Sequence, residues 1–318
     1  MIDNANALVS VVIVTCGVGN YLSDCLDSLE SQRQDFREAI IIDNSLNPVF
    51  FRRIKERYPW AQIYSSKVNL YYCASLNKGI ESSGGKFILC LNDDVSLSGD
   101  FIHNALKGFF NDDIGMVSGK ILRKDKKTLD STGLFLTNYR TAKERGYALP
   151  DTGKFSEAGF VFGASGCAAF FRREMLESIK EGQDYLDTDL RMFYEDLDVS
   201  WRANKLGWKS YYVPEAVAYH ARGGSCRPES GLNKPMAARY LNDRLFGDLI
   251  KNRYIVMLKN ERFFRFILNI VPILLYDLCI WGYVFLFRPQ VIKIIISDRK
   301  YFARALRKRD KLIRPVRA

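Results

Sequence analysis

The chain has 318 residues, 47% of them hydrophobic and 13% aromatic, which excludes a disordered polypeptide and is ample for one large α/β domain with an appendage. The net charge of +11 sits at one end: residues 251–318 hold 16 Lys and Arg against four acids, while the first 250 residues are close to neutral. A nucleic-acid-binding body would show the reverse, so no nucleic-acid partner is expected.

The seven cysteines, an odd number with no CxxC pair, argue against a disulfide framework or zinc knuckle and for a reducing compartment. The opening MIDNANALVS has no basic leader region and reads as the approach to a first strand, not as a signal peptide. Residues 8–14, LVSVVIV, form a β-branched run that predicts a strand buried on both faces. Leu22, Leu26 and Leu29 follow at helical spacing. A second strand is predicted at residues 39–42, ending at Asp43-Asn44, then a basic amphipathic stretch to Tyr58 and a short strand near residues 62–65. A helix from about Cys73 to Ser82 leads to the strand KFILCL, which ends at Asn92-Asp93-Asp94. Strands alternating with helices imply parallel pairing through right-handed crossovers, with the ligand at the carboxyl ends of the strands. Thr15, Asp43 and Asn92-Asp93-Asp94 each stand just past such an end, three polar stations of the kind a nucleotide pocket needs.

Residues 120–160 are polar and glycine-rich and predict loops and short strands over that edge. The run VFGASGCAAFF from Val161 is small and apolar and predicts a strand passing close to a ligand. FYEDLDVSWRANKLGW, residues 193–208, sets Glu195, Asp196 and Asp198 beside aromatics at a helix start. A strand KSYYV precedes Pro214, and His220 follows AVAY. Residues 221–235 are rich in Gly, Pro and Ser and long enough for a lid. Phe263 to Phe287 is a long apolar run interrupted only by Arg265, Asn269 and Asp277. It is long enough to span a bilayer, but Asp277 opposes that, and the expectation is a membrane-surface helix or hairpin anchored to anionic lipid by the basic tail. A buried helix pair on the body is the plainer alternative.

With these stations in order, the chain resembles the family 2 glycosyltransferases of GT-A fold, and within them the rhamnosyltransferase-like branch of bacterial surface polysaccharide synthesis. The likeness runs from Val9 to His220 and on through Ser225. It is carried by VVIVT at 11–15, IIDN at 41–44, Asn69 with NKGI at 77–80, LNDD at 91–94, DSTG at 130–133, RG at 145–146 with DTG at 151–153, GASG at 163–166 with FRR at 171–173, FYEDLD at 193–198, and YVP at 212–214 leading to His220. The resemblance implies an α/β GT-A catalytic domain over residues 1–235, a mostly parallel sheet flanked by helices. A helical, basic, membrane-associating region would follow over residues 236–318. It implies an inverting transfer of a sugar, rhamnose among the candidates, from a UDP- or dTDP-linked donor to a lipid-linked saccharide at the cytoplasmic face of the cell membrane.

The same resemblance assigns roles. Asp94 and His220 would hold Mg²⁺ or Mn²⁺, hard-ligand cations suited to a departing diphosphate. Asp93 and Asn92 would face ribose or sugar, Asp43 the pyrimidine N3–H and Thr15 the base, with Asn69 and Asn77 toward the nucleotide. Asp196 would be the general base, made more basic by its apolar neighbours, and Glu195 would orient it or the acceptor. Gly163 and Ala164 would lie on the acceptor side; Asp198 and Arg202, four apart on one helix face, are expected from their spacing to form a local ion pair. Two positions depart from the family pattern: Cys16-Gly17 replace an aromatic and Asn, and Tyr71 stands where Gly is common. No QxxRW signature is present, which favours one sugar per encounter over processive synthesis.

Rival functions fit less well. The third glycine of a dinucleotide fingerprint would fall at Leu22, and CGVGNYLSD lacks the basic residue a nucleotidyltransferase loop needs. A non-catalytic saccharide- or nucleotide-binding protein of the same fold would not need Asp94 and Asp196 together.

Overall fold

The computed structural model describes residues 8–32, 36–222 and 241–312. Its first half alternates strand and helix as β1 (Val9–Thr15), α1 (Tyr21–Glu30), β2 (Glu38–Asp43), α2 (Pro48–Arg57), β3 (Gln62–Ser65), α3 (Tyr71–Ser82) and β4 (Phe87–Asn92). These strands pair in parallel in the order β3-β2-β1-β4. Every residue of β1 is buried. Val9, Val11 and Ile13 enter the core beneath α1, with Leu22, Leu26 and Leu29, while Val12 and Val14 enter the opposite core with Leu76 and Ile80 of α3. This two-sided burial is why the strand reads as an unbroken apolar run. Each such side chain contributes roughly 1.5–3 kcal/mol. Asn47 starts α2 by accepting from the backbone N–H groups of Val49 and Phe50, with Pro48 at the first helical position.

The second half runs β5 (Val95–Leu97), α4 (Phe101–Lys107), β6 (Ile114–Arg123), β7 (Leu129–Ser131), β8 (Leu134–Leu136), β9 (Ala142–Glu144), β10 (Gly159–Val161), β11 (Ala168–Arg172), α5 (Arg173–Ser178), α6 (Glu195–Lys205) and β12 (Lys209–His220). The sheet continues from β4 as β11-β6-β12-β10, with β11 antiparallel to both its neighbours and β12 parallel to β6. It is thus wholly parallel under the strand-end stations and mixed beyond them. The apolar run from Val161 gives two strands instead of one, because Ala168 N–H turns back onto the Ser165 carbonyl between them. Pro214 does not end the following strand. It sits where β12 shifts register between Val213 and Val217, a bulge that tolerates the missing N–H.

Five helices close the described chain: α7 (Asp243–Asn260), α8 (Phe263–Leu268), α9 (Ile270–Phe287), α10 (Gln290–Ser297) and α11 (Lys300–Leu312). Phe246 and Ile250 of α7 share a core with Val284 of α9 and Val291 of α10. The basic excess of this region is not all free for lipid, as the sequence alone suggested. Lys251 pairs with Asp248, Arg253 with Asp277, Arg304 with Asp189, and Lys308 with Asp187 and Asp189. From residue 223 on, the expected lid lies outside the described residues, as do Cys226 and the expected division at 235/236.

Candidate active site

Register gathers the polar stations. Thr15 stands opposite Asp43, Val14 opposite Asn92, and Asp43 opposite Ser65, so one row forms along the carboxyl edge of the parallel strands. Thr15 Oγ1 donates to Asp93 Oδ2 at 2.6 Å and accepts from Gly17 N–H at 3.0 Å. Asp43 is buried; its Oδ1 accepts from Ser45 N–H, and its Oδ2 has no hydrogen-bond partner among the described residues. A buried carboxylate oxygen left open at a strand end is costly unless something donates to it. Burial pushes the Asp93 carboxyl up to about 6, opposed by the Thr15 hydrogen bond and helped by the charge of Asp94.

Asp94 meets His220 because β5 runs antiparallel to β12 with Val95 opposite His220. His220 Nε2 lies 3.2 Å from Asp94 Oδ1, and its Nδ1 lies 2.8 Å from Asp130 Oδ2. Asp130 also accepts from Arg222 Nε at 2.6 Å. Burial pushes Asp130 up, but His220 and Arg222 outweigh it and hold its carboxyl down, at about 2. A carboxylate on one imidazole nitrogen fixes the ring and leaves the other nitrogen to a ligand, the usual outer arrangement of a metal-binding histidine. The Asp94 oxygen and His220 nitrogen form a donor pair of a kind that fits a divalent cation. Asp130 stood in the sequence within DSTG, but nothing local linked it to His220, ninety positions away.

Glu195 and Asp196 open α6. The turn before them is strained: Arg191, Phe193 and Tyr194 all have φ between 63 and 70°. Non-glycine residues rarely adopt this conformation, and such strain gathers at functional sites. Asn252 of α7 holds the turn, its Nδ2 lying 2.8, 2.8 and 2.9 Å from the carbonyls of Leu190, Met192 and Phe193. Asp196 accepts from Leu197 N–H at 2.7 Å and Gly166 N–H at 3.3 Å, and burial raises its pKa. Burial and then the charge of Asp196 push Glu195 well above the carboxylate range, and its Oε2 is buried without a partner among the described residues. A Cβ at Gly166 would lie 3.3 Å from Glu195 Oε1 and 3.4 Å from Asp196 Cβ, so glycine lets the loop close on both acids.

Two further groups complete this wall, and neither was singled out in the sequence. Tyr72 Oη donates to Asn92 Oδ1 at 2.8 Å and lies 3.1 Å from the Gly166 carbonyl, joining the strand edge to the acid loop. Glu144 accepts from Ser165 Oγ at 2.8 Å and from Ser131 Oγ. Burial, then the charge of Asp196, raises its carboxyl to about 8.

Asp198 is fully buried. It pairs with Arg202 Nε at 2.9 Å, as the i,i+4 spacing predicts, and also with Lys259 Nζ at 2.9 Å. The Lys259 ammonium lies 2.8 Å from Glu181 and 2.6 Å from Asp187. These three acids form the acidic cluster that could otherwise hold an ion, and the lysine already occupies it.

Asn77, Gly163 and Ala164 are engaged in packing, and Asn69 in a turn beside Asn44. Asn77 uses its whole amide on Leu186 and Asp184, tying α3 to that segment instead of facing the nucleotide edge. Asn69 accepts from Tyr71 N–H at 2.7 Å and so shapes the turn into α3. Tyr71, where glycine is common, indeed has a φ of 61°, and the Arg191 guanidinium lies over its ring. Gly163 is packed on α6, where a Cβ would lie 2.0 Å from Ser200 Oγ, and Ala164 is buried in the core. The neighbours Ser165 and Gly166 are the ones at the acids.

The parallel strand-end edge, joined through Tyr72 and Gly166 to a pair of helix-borne acids, belongs to a mixed α/β fold of GT-A type. Residues 10–180 match the family described as Glycosyl transferase family 2, and the chain belongs to that family of glycosyltransferases. It is similar to the poly-beta-1,6-N-acetyl-D-glucosamine synthase of Staphylococcus epidermidis, 23% identical over 217 residues, covering 66% of this chain and 49% of that protein. The synthase of the same name from Staphylococcus aureus is 24% identical over 204 residues, covering 62% and 46%. The chain therefore spans about half the length of these relatives. Among solved structures, the fold is similar to TarS 1-349 of S. aureus in complex with UDP-GlcNAc, with TM-score 0.61, 13% identity, and coverage of 96% of this chain and 84% of that one. It is also similar to the mannosyltransferase PcManGT of Pyrobaculum calidifontis in complex with GDP-Man and Mn²⁺, with TM-score 0.55, 17% identity, and coverage of 93% and 75%.

Proposed function

We propose that this glycosyltransferase moves a sugar, with inversion, from a UDP- or dTDP-linked donor to a hydroxyl of a lipid-linked saccharide in surface polysaccharide synthesis. The observation that carries the reading is the contact of Asp94 with His220 beside Asp130, on the edge where Asp43 keeps an open carboxylate oxygen. Asp43 Oδ2 accepts the pyrimidine N3–H, Thr15 and Asp93 line the base and ribose, and Asn92 faces the sugar. Asp94 and His220 hold the divalent cation, whose contribution is to offset the charge of the departing diphosphate. Asp196 takes the acceptor proton as the hydroxyl oxygen bonds to the anomeric carbon and the carbon–oxygen bond to the diphosphate breaks. Glu195, protonated by its burial, donates to the acceptor or to Asp196. Rhamnose is the sugar that the rhamnosyltransferase resemblance favours, and the apolar helices beside the acid turn favour a lipid-borne acceptor on the cytoplasmic face of the membrane.

The test is calorimetric binding of UDP, dTDP and GDP with and without Mn²⁺ to the wild type, Asp94→Asn and Asp196→Asn. Pyrimidine diphosphate binding that depends on Mn²⁺, is lost in Asp94→Asn and survives in Asp196→Asn is expected. Donor turnover in Asp196→Asn should fall by about 10²–10⁴-fold. Binding indifferent to both metal and Asp94 would leave a non-catalytic nucleotide-binding protein of this fold as the better reading.

A further inference from the structure

Helix α9 carries two apolar stripes. Ile273, Tyr276, Ile280 and Val284 recur at i+3 and i+4 and face the body, with Ile273 and Val284 buried. Val271, Leu274, Leu275, Leu278, Phe285 and Leu286 recur on the opposite side and are between 58% and 76% exposed. The outward stripe continues into α8, where Phe263 is 68%, Phe264 82% and Leu268 82% exposed. A continuous apolar surface of this kind marks an interaction site.

The inward stripe is fastened at mid-helix. Asp277 accepts from Arg253 Nη1 at 2.5 Å, Tyr276 stacks on Tyr139 at 5.0 Å between ring centroids, and Trp281 Nε1 donates to Tyr254 Oη at 2.8 Å. A single helix that crosses a bilayer while the body it belongs to stays outside offers lipid its whole middle. Here a crossing would drag α7 and the polar loop of Tyr139 into hydrocarbon, where their unpaired groups cannot be satisfied. Exposed Arg262 precedes the apolar surface, exposed Arg265 interrupts its α8 part and exposed Lys293 lies beyond the other end, as for helices lying at headgroup level.

We propose that α8 and α9 are embedded along their length in one leaflet of an anionic membrane, with the catalytic body seated on the surface and no segment of α9 crossing. The seat adjoins the acid turn: Tyr194, the residue before Glu195, shares a small cavity with Arg253, Tyr276 and Ile280. One turn of α7 therefore joins the membrane clamp, Arg253, to the holder of the strained turn, Asn252. This inference stands apart from the transfer reading, since vesicle binding without nucleotide binding would overturn only the latter.

The test uses the full chain with preformed vesicles of phosphatidylcholine containing phosphatidylglycerol. The wild type is expected to float with them, less so without the anionic lipid or at high salt. Leu275→Glu and Leu278→Glu are each expected to weaken partitioning about tenfold or more, with melting temperature unchanged because both positions are exposed. Tryptophan placed singly at Val271, Leu278 and Leu286 spans about 22 Å of helix at 1.5 Å per residue. With acyl-chain-brominated lipids, all three should be quenched at one shallow depth, measured as the increment over wild type. Position 278 deep, with 271 and 286 near opposite surfaces, would show a crossing and overturn the proposal. Failure of the wild type to float, or an outward face occupied by a second copy in solution, would overturn it equally.

Discussion

Glu144 is a carboxyl held where a carboxylate is unwelcome. Burial, and then the charge of Asp196, lift it to about 8, while Ser131 and Ser165 donate to it and oppose the lift. Its proton is bound in the folded chain and, above the ordinary glutamate range, lost from the unfolded one. Such a group favours folding at low pH and withdraws that support as pH rises from about 4.5 to about 8. The melting temperature is therefore expected to fall across that window, and Glu144→Gln should flatten the fall. A wild-type melting temperature that holds or rises between pH 5 and 8, with no difference in the variant, would refute a protonated Glu144. The same logic separates the acids at the helix start: a neutral Glu195 beside Asp196 lowers the repulsion that would otherwise cost Asp196 its charge.

At the level of elements, α6 is fixed at both faces by groups far away in sequence. Its front presents Glu195 and Asp196 from a turn whose three left-handed residues are kept in place by Asn252. Its back rests Asp198 on Lys259, which also serves Glu181 and Asp187. Burial lowers the lysine's proton affinity, but the three acids outweigh it and keep the ammonium charged. Lys259→Met removes the ammonium that contacts all three acids, leaving Asp198 to Arg202 and Asp187 to Lys308, and depriving buried Glu181 of its ion pair. The expected loss is roughly 3–5 kcal/mol of stability, read from urea unfolding. A change below about 1 kcal/mol would mean that Arg202 and solvent suffice. Both α7 residues lie in a segment that the sequence presents only as the start of a basic tail. Their roles had no local signal, because a lysine meant for three acids and one meant for lipid look alike in a chain.

For the whole molecule, the C-terminal helices are part of the catalytic body as well as its proposed membrane seat. A chain ending at residue 240 lacks Asn252 and Lys259, so its acid turn and its buried acids lose their partners. It is expected to lose its cooperative thermal transition by circular dichroism. A truncated chain that melts sharply and binds nucleotide like the full one would make the first 235 residues an independent domain.

Much of the parallel half was legible beforehand, because two-sided burial writes itself as β-branched runs at 8–14 and 39–42, and strand ends as the polar breaks at Thr15, Asp43 and Asn92. Leu22, Leu26 and Leu29 showed α1 for the same reason: periodicity is a local record of which side faces the core. Asp198 with Arg202 was equally local, four residues apart on one helix. The sequence by itself thus determined the layered α/β order, the polar stations at the strand ends and the pair of acids at a helix start. Only the tertiary structure decided that His220 lies between Asp94 and Asp130, that Asn77 and Gly163 are engaged in packing, that Glu144, Tyr72 and Asn252 surround the acid turn, and that Lys259 supports Asp198 behind it. Those contacts join residues tens of positions apart through strand order, register and helix docking. Sequence spacing cannot encode which distant polar group will be the one to fill a buried valence.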